Sequence, residues 1–131
     1  MVGVTPIYII VNETELLSKE FNNSKINYCI IKDNNDDIVS NDKNKWFLIL
    51  KDIYKSSPTS TILQNTTFNI KLTNENGNKG YEWCPEVNMS IQRKDANGTL
   101  KEIIKMIKIN NYKIDIVIKL QSNELIKFNL F

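Results

Sequence analysis

Short segments in which apolar and polar residues alternate recur along the chain, and this period of two constrains the fold more than any other feature. The clearest examples are residues 26–32, 68–72, 87–91, 114–120 and 126–130. Clusters of Asn, Asp, Ser and Gly separate such segments at intervals of about 8–12 residues, as in proteins built from antiparallel strands. The pattern predicts an all-β (mainly β) fold, namely an antiparallel β-sandwich of the immunoglobulin-like or jelly-roll-like type.

The remaining segments predict two more strands, one short N-terminal helix and one long loop. Residues 6–11 are β-branched or aromatic after the proline and predict a strand. Residues 45–54 are apolar on both faces at their centre, which predicts a strand covered on both sides. A short helix is expected over 13–21, because Asn12 and Glu15 have capping-box spacing. Residues 55–64, with Pro58 and several Ser and Thr, are expected to form a loop.

The segment 99–109 fits two structures. Thr99 and Glu102 have capping-box spacing, and the apolar residues that follow recur with a helical period. Some of the same residues also alternate with polar ones, and they follow Asn97-Gly98, a dipeptide typical of hairpin turns. We favour a strand, because the neighbouring segments are strands.

Size and composition set outer limits. The chain has 131 residues, of which 41% are hydrophobic, so we expect a single β-sandwich domain over residues 1–131. The longest apolar runs, such as Trp46 to Leu50, are five residues long, whereas a transmembrane helix needs about 20. The sequence therefore predicts no membrane partner. It contains no histidine, which removes the usual general base and the commonest transition-metal ligand.

The charge distribution argues against a nucleic-acid partner. The chain contains 16 Lys and 19 Asn but one Arg and one Ala, a skew that follows A/T-rich codons. The net charge is only +2 and neither half is strongly basic, so we expect no nucleic acid. Lysines could line a basic face that steers an acidic partner, although Glu102, Asp115 and Glu124 balance part of their positive charge. The simpler explanation of these lysines is that they solvate the surface and protect strand edges from further pairing. The lysines in question are Lys101, Lys105, Lys108, Lys113, Lys119 and Lys127.

The amino-terminal residues contain no basic segment followed by an apolar core, so we expect cytoplasmic synthesis without a signal peptide. Cys29 and Cys84 are expected to be two thiols in a reducing compartment, and the alternative is one disulfide between them.

Few residues could carry chemistry. Asp33, Asn35 and Asp37 match the start of a calcium loop, but Ile38 replaces its glycine and the final glutamate is missing. Cys84 has no histidine that could activate it. We therefore predict no catalytic residue, no metal site and no cofactor, in a protein that is not an enzyme.

Residues 76–83 read Asn-Gly-Asn-Lys-Gly-Tyr-Glu-Trp and follow the predicted strand 68–72. The segment resembles the first loop of the chagasin-like inhibitors of papain-type proteases, where N-P-T-T-G-[YF]-x-W follows a strand. Asn76, Gly80, Tyr81 and Trp83 match, whereas residues 77–79 differ and the family's later G-x-G-G and R-P-W segments have no counterpart. The resemblance implies an immunoglobulin-like sandwich whose loops enter a protease cleft, and it makes the four matching residues the candidate protein-binding site.

The side chains of Tyr81 and Trp83 are expected to share one face, because they are two residues apart on an extended segment. We expect this face to point inward, where Trp46 needs a large packing partner. If the face points outward, it becomes a partner surface.

These observations predict a non-enzymatic structural or protein-binding module. The A/T-rich composition points to a component of a bacteriophage or viral virion, such as a capsid decoration, head, collar or tail accessory protein. The expected partners are proteins, either further copies of the chain or other subunits, in an oligomer or complex. The alternative is a host-interaction module, such as a chagasin-like cysteine-protease inhibitor or an immunity-type protein.

Overall fold

The computed structural model describes residues 7–41 and 45–131, and all structural statements refer to them. The strands are β1 (Tyr8–Ile10), β2 (Lys25–Lys32), β3 (Ile38–Ser40), β4 (Ile70–Lys71), β5 (Tyr81–Cys84), β6 (Met89–Gln92), β7 (Lys113–Lys119) and β8 (Leu125–Leu130). The helices are α1 (Glu13–Leu17), α2 (Trp46–Ser56), α3 (Thr59–Asn65) and α4 (Ala96–Asn110).

The strands form two separate sheets. The larger sheet has five strands in the order β1-β8-β7-β2-β3, and the smaller has three in the order β4-β6-β5. Strand β1 runs parallel to β8, and every other pair is antiparallel. With 31% helix and 30% strand, the chain is a mixed α/β protein. The predicted all-β sandwich with a single short helix is therefore wrong.

The segment predicted as a central strand is the helix α2. Its buried side chains include Phe47, Leu50, Ile53 and Tyr54, which recur at the spacing of three and four residues that one helix face requires. A short apolar run does not distinguish a buried strand from a buried helix. The predicted loop over 55–64 is also wrong for most of its residues, because α2 continues to Ser56 and α3 begins directly after Pro58.

The segment 99–109, for which we favoured a strand, belongs to the helix α4. The side chain of Asp95 caps this helix by accepting a hydrogen bond of 2.8 Å from the backbone N–H of Gly98. Asn97-Gly98 therefore lies in the first helical turn and forms no hairpin. The helix ends at Asn110, and the residue that caps it, Asn111, has φ 56° in the left-handed region.

Each of the alternating segments contains a strand. Strands β2, β7 and β8 occupy the predicted segments, whereas β4 is limited to two residues and β6 begins at Met89, two residues later than predicted. The capping box of α1 is also confirmed, since Asn12 and Glu15 each accept a hydrogen bond from the other's backbone N–H. The helix ends at Leu17, earlier than expected.

The larger sheet has one buried face and one that no described helix covers. Side chains of β2, β7 and β8 on the buried face join those of α1, α2 and α4 in one hydrophobic core. The isoleucines of this face that have no exposed surface are Ile31, Ile114, Ile116, Ile118 and Ile126. We call the opposite side of this sheet, which carries Tyr28 and Ile30, the outer face.

One carboxylate is buried in this core. Glu102 on α4 is 1% exposed, and it accepts hydrogen bonds from the Tyr54 hydroxyl, from Thr66 Oγ1 at 2.6 Å and from Thr67 N and Oγ1 at 3.1 and 2.9 Å. We call these four residues the Glu102 cluster. It joins α2, α4 and the segment before β4. Glu102 therefore does not balance exposed lysines, contrary to the expectation.

Replacing Glu102 with alanine should lower the free energy of unfolding by about 3–5 kcal/mol, because three donor side chains lose their acceptor and a cavity is left. Urea denaturation followed by circular dichroism measures the loss. Glu86→Ala is the matched control at an exposed position, where we expect a change within about 0.5 kcal/mol. Equal losses in the two variants would contradict the structural role of Glu102.

Candidate functional site

The four residues singled out by sequence lie at the start of β5 and in the loop before it. Asn76 Oδ1 accepts a hydrogen bond of 3.0 Å from the backbone N–H of Trp83, so this side chain holds the loop against the strand. Gly80 has φ 82°, a conformation that favours glycine. The loop also closes on itself, since Gly77 N donates to Tyr81 O at 2.9 Å. Asn76 and Gly80 thus shape the loop.

Tyr81 and Trp83 lie on one side of β5, as their spacing predicts, but they are half-buried. The expectation that they form the inward packing anchor for Trp46 is wrong. The ring that packs against Trp46 is that of Phe21, at 6.1 Å between centroids in an edge-to-face arrangement. In β5 it is Cys84 that is buried.

Glu82, between the two aromatic residues, connects the smaller sheet to α2. Its carboxylate forms ion pairs with Lys51, at 2.9 Å, and with Arg93. The guanidinium of Arg93 also lies 4.8 Å from the centroid of the Phe47 ring. Burial alone would raise the pKa of Glu82, but hydrogen bonds from Lys51 and Arg93 outweigh it and hold the pKa below its usual value.

The thiol of Cys84 borders a small cavity of about 160 Å³ that Lys51 and Glu86 also line. Burial raises the pKa of Cys84, so the thiol stays protonated at neutral pH and is a weak nucleophile. Cys29 is buried as well, and no disulfide joins it to Cys84. The cavity is therefore a gap in the packing beside the Lys51–Glu82 ion pair, and it does not offer an activated nucleophile.

Sequence reasoning missed the most exposed apolar surface of the described chain. Residues 7–10 are four consecutive large apolar side chains, with exposed fractions of 84% for Ile7, 43% for Tyr8, 39% for Ile9 and 76% for Ile10. We call them the β1 edge. The sequence does contain a signal, since residues 6–11 carry no charge. It does not show that this strand lies at the edge of the sheet.

Among the described residues, the backbone of β1 is paired on one side only. Strand β1 is the last in the sheet order, next to β8, and Val11 N donates to Lys127 O at 3.1 Å. Successive amides of a strand point to opposite sides, so Ile9 faces β8 as Val11 does, and the amides of Tyr8 and Ile10 point away from it. An edge of this kind is a template for a further strand.

The opposite edge of the larger sheet is built differently. Strand β3 pairs with β2 across a register shift at Ile31 and Lys32, and irregular pairing protects an edge against further strands. Ser40 at its end is bonded to Asp52 of α2 at 2.8 Å. Ile38 is its one large exposed apolar side chain, at 57%.

Two absences hold for the residues that the structure describes. None of their helices combines the length and apolar character needed to cross a bilayer, and no group of three or more acidic or cysteine side chains could hold a metal ion. Asp33, the first residue of the calcium-like motif, accepts hydrogen bonds from the backbone of Asn35 and Asp37 within its own turn.

Comparison with protein-family models, with curated protein sequences and with solved structures finds no match to this chain.

The ion pairs of Glu82 predict a pH dependence of stability. The pKa of Glu82 is lower in the folded chain than in the unfolded one, so its ionisation stabilises the fold at neutral pH, and this contribution disappears as the pH falls below about 4. Glu82→Gln should therefore be less stable than the parent at pH 7, and the difference should narrow in acid. Thermal unfolding at a series of pH values measures it, and a difference that is constant with pH would contradict the assignment.

Proposed function

We propose that the protein is a non-enzymatic subunit of a larger protein assembly and that it joins a second copy of itself through the β1 edge. The observation that carries the proposal is the exposure of the four consecutive apolar side chains of the β1 edge. The outward N–H and C=O groups of this strand pair with no described strand. Exposed apolar edges of this kind are normally blunted or covered in soluble proteins.

The geometry of β1 fits antiparallel pairing with itself. A two-fold axis through Ile9 places Ile9 opposite Ile9 of the second copy and Tyr8 opposite its Ile10. The outward amides belong to Tyr8 and Ile10, so the two symmetry-related Tyr8–Ile10 pairs are hydrogen-bonded. The Ile9–Ile9 pair between them is a non-hydrogen-bonded pair, and an antiparallel ladder requires this alternation. Each Tyr8 ring then meets a β-branched side chain, a favourable cross-strand pair.

A second copy is the best-matched partner for this edge. A two-fold interface brings the same patch together twice, so a patch must be compatible with itself. Residues 6–11 contain no charged residue, and antiparallel self-pairing therefore opposes no like charges. The two five-stranded sheets then form one continuous sheet of ten strands, in which each β1 strand is paired on both sides.

A virion is the setting that we propose for this subunit, as a capsid decoration, head, collar or tail accessory protein. The A/T-rich composition and the absence of histidine support a structural role in such an assembly. The alternative of a chagasin-like inhibitor rests on loops carried by a β-sandwich, and the chain does not form one. An immunity-type role has no observation that favours it.

Ile10→Lys should abolish self-association, because it places a lysine on the paired edge opposite Tyr8 of the second copy, and by symmetry does so twice. Size-exclusion chromatography with light scattering should give a dimer for the parent and a monomer for the variant. Ile38→Lys is the matched control, since it introduces the same change at an exposed isoleucine of the opposite edge strand; it should remain dimeric.

Three outcomes would contradict the proposal: a parent protein that is monomeric at high concentration, an Ile10→Lys variant that stays dimeric, or an Ile38→Lys variant that becomes monomeric. Circular dichroism of all three proteins separates loss of pairing from loss of folding.

A further inference from the structure

The outer face of the larger sheet gathers five lysines that are scattered in sequence. They belong to three adjacent strands, with Lys25 and Lys32 on β2, Lys113 and Lys119 on β7, and Lys127 on β8. The register of β2 and β7 places Lys25 directly opposite Lys119 and Lys32 directly opposite Lys113. The outer face therefore has a pair of lysines at each end of the β2–β7 ladder.

Such pairs are unfavourable in an isolated sheet, because like charges directly opposite one another repel. Asp36 relieves one of them, as its carboxylate lies 2.7 Å from Lys113 Nζ. Lys25, Lys32 and Lys119 form no ion pair with another described residue. Local conflicts of this sort are expected where a surface is shaped by what it binds, and an anionic ligand would remove the repulsion.

An aromatic platform lies between the two lysine pairs. Tyr28 on β2 is opposite Val117 on β7, and its hydroxyl donates a hydrogen bond to Asp115 on the same strand as Val117. The ring thus lies across the sheet, and Val117 beneath it is only 4% exposed. Asp115 is thus an acidic residue of the outer face between the two lysine pairs, and it is held in place by the Tyr28 hydroxyl.

A cavity adjoins this platform at the end with Lys32 and Lys113. Its volume is about 350 Å³. Ile30 and Phe131 supply apolar lining, and the two lysines share the rest of the lining with Asp36 and Asp115. A cavity of this size with apolar walls suits a small planar group such as a base, and Lys32 is the lining lysine that forms no ion pair with a described residue.

We propose that the outer face binds single-stranded nucleic acid, with phosphates at the two lysine pairs and a base stacked on Tyr28. The two pairs are about 20 Å apart along β7, where Lys113 and Lys119 are six residues apart at about 3.3 Å per residue, so an extended strand can contact both. Proteins that bind single strands without sequence preference combine basic groups that follow the backbone with aromatic rings that stack on bases. An acidic peptide would use the lysines but would leave the ring between them without a role.

Lysine acts as a point charge and does not recognise a particular base, so binding should be independent of sequence. The inference does not depend on pairing through the β1 edge, because none of the five lysines lies on β1. It does replace the expectation that the chain has no nucleic-acid partner. That expectation used the charge of each half of the sequence, and the face draws its lysines from both halves.

Fluorescence anisotropy with a fluorescein-labelled oligouridylate, at a series of salt concentrations, tests the proposal. The double variant Lys25→Gln/Lys119→Gln should bind more weakly, and its slope of log affinity against log salt should be shallower by about 1.4, at about 0.7 per phosphate contact on a single strand. The double variant Lys101→Gln/Lys105→Gln is the matched control, with the same loss of charge on the exposed side of α4, and should bind like the parent.

Tyr28→Leu, compared with Tyr28→Phe, separates stacking from charge, because both variants lose the hydrogen bond to Asp115 and only Tyr28→Leu loses the ring. It should weaken binding about tenfold while leaving the salt slope unchanged, and circular dichroism checks that the variant is folded. The proposal is overturned if the parent does not bind at low salt or if the α4 control loses as much affinity as the sheet variant. It is also overturned if polyglutamate binds as tightly as oligouridylate, which would indicate an acidic protein as the partner.

Discussion

The buried carboxylate of Glu102 is the interaction on which the arrangement of the two sheets depends. A buried polar side chain is tolerated when its hydrogen bonds are satisfied, and the donors that satisfy Glu102 come from α2 and from the segment that leads into β4. Those hydrogen bonds join α2 and α4 to the segment that leads into β4, the first strand of the smaller sheet along the chain. Glu82 then secures the smaller sheet to α2 through Lys51.

This placement determines what covers the larger sheet. In a sandwich a second sheet packs on its inner face, whereas here helices cover that face and the smaller sheet is tied to the helices. The outer face and the outward side of the β1 edge are left uncovered by any described element. Antiparallel pairing of two β1 strands has its two-fold axis perpendicular to the sheet, so the outer faces of two copies lie on the same side. The two proposals therefore describe the same dimer, whose ten-stranded sheet carries the lysines of both copies on one face.

The strands of this fold could be predicted from the sequence, and most of its helices could not. Alternation identified β2, β7 and β8 because each of these strands buries one face only. Helix α2 was missed because its five apolar residues, Trp46 to Leu50, have no polar residue to reveal a period. Helix α4 was missed because Asn97-Gly98 resembles a hairpin turn, while the side chain of Asp95 makes it a helix start.

The candidate surfaces were harder to predict than the strands, for a different reason. Residues 76–83 stood out because their pattern is local, and their geometry proved to be that of a self-closed loop. The β1 edge and the lysine pairs depend on which strands are neighbours, and a register such as Lys25 opposite Lys119 cannot be read from a chain in which the two residues are far apart. Long-range pairing was the missing information in both cases.

Amide hydrogen exchange of β1 tests the central claim, self-association through this edge, most directly. The amides of Tyr8 and Ile10 point away from β8, whereas Ile9 and Val11 face it. At high protein concentration we expect slow exchange at all four amides, and on dilution a selective acceleration at Tyr8 and Ile10 as the pairing dissociates. Exchange at Tyr8 and Ile10 that is fast at every concentration, while Ile9 and Val11 stay protected, would contradict the account.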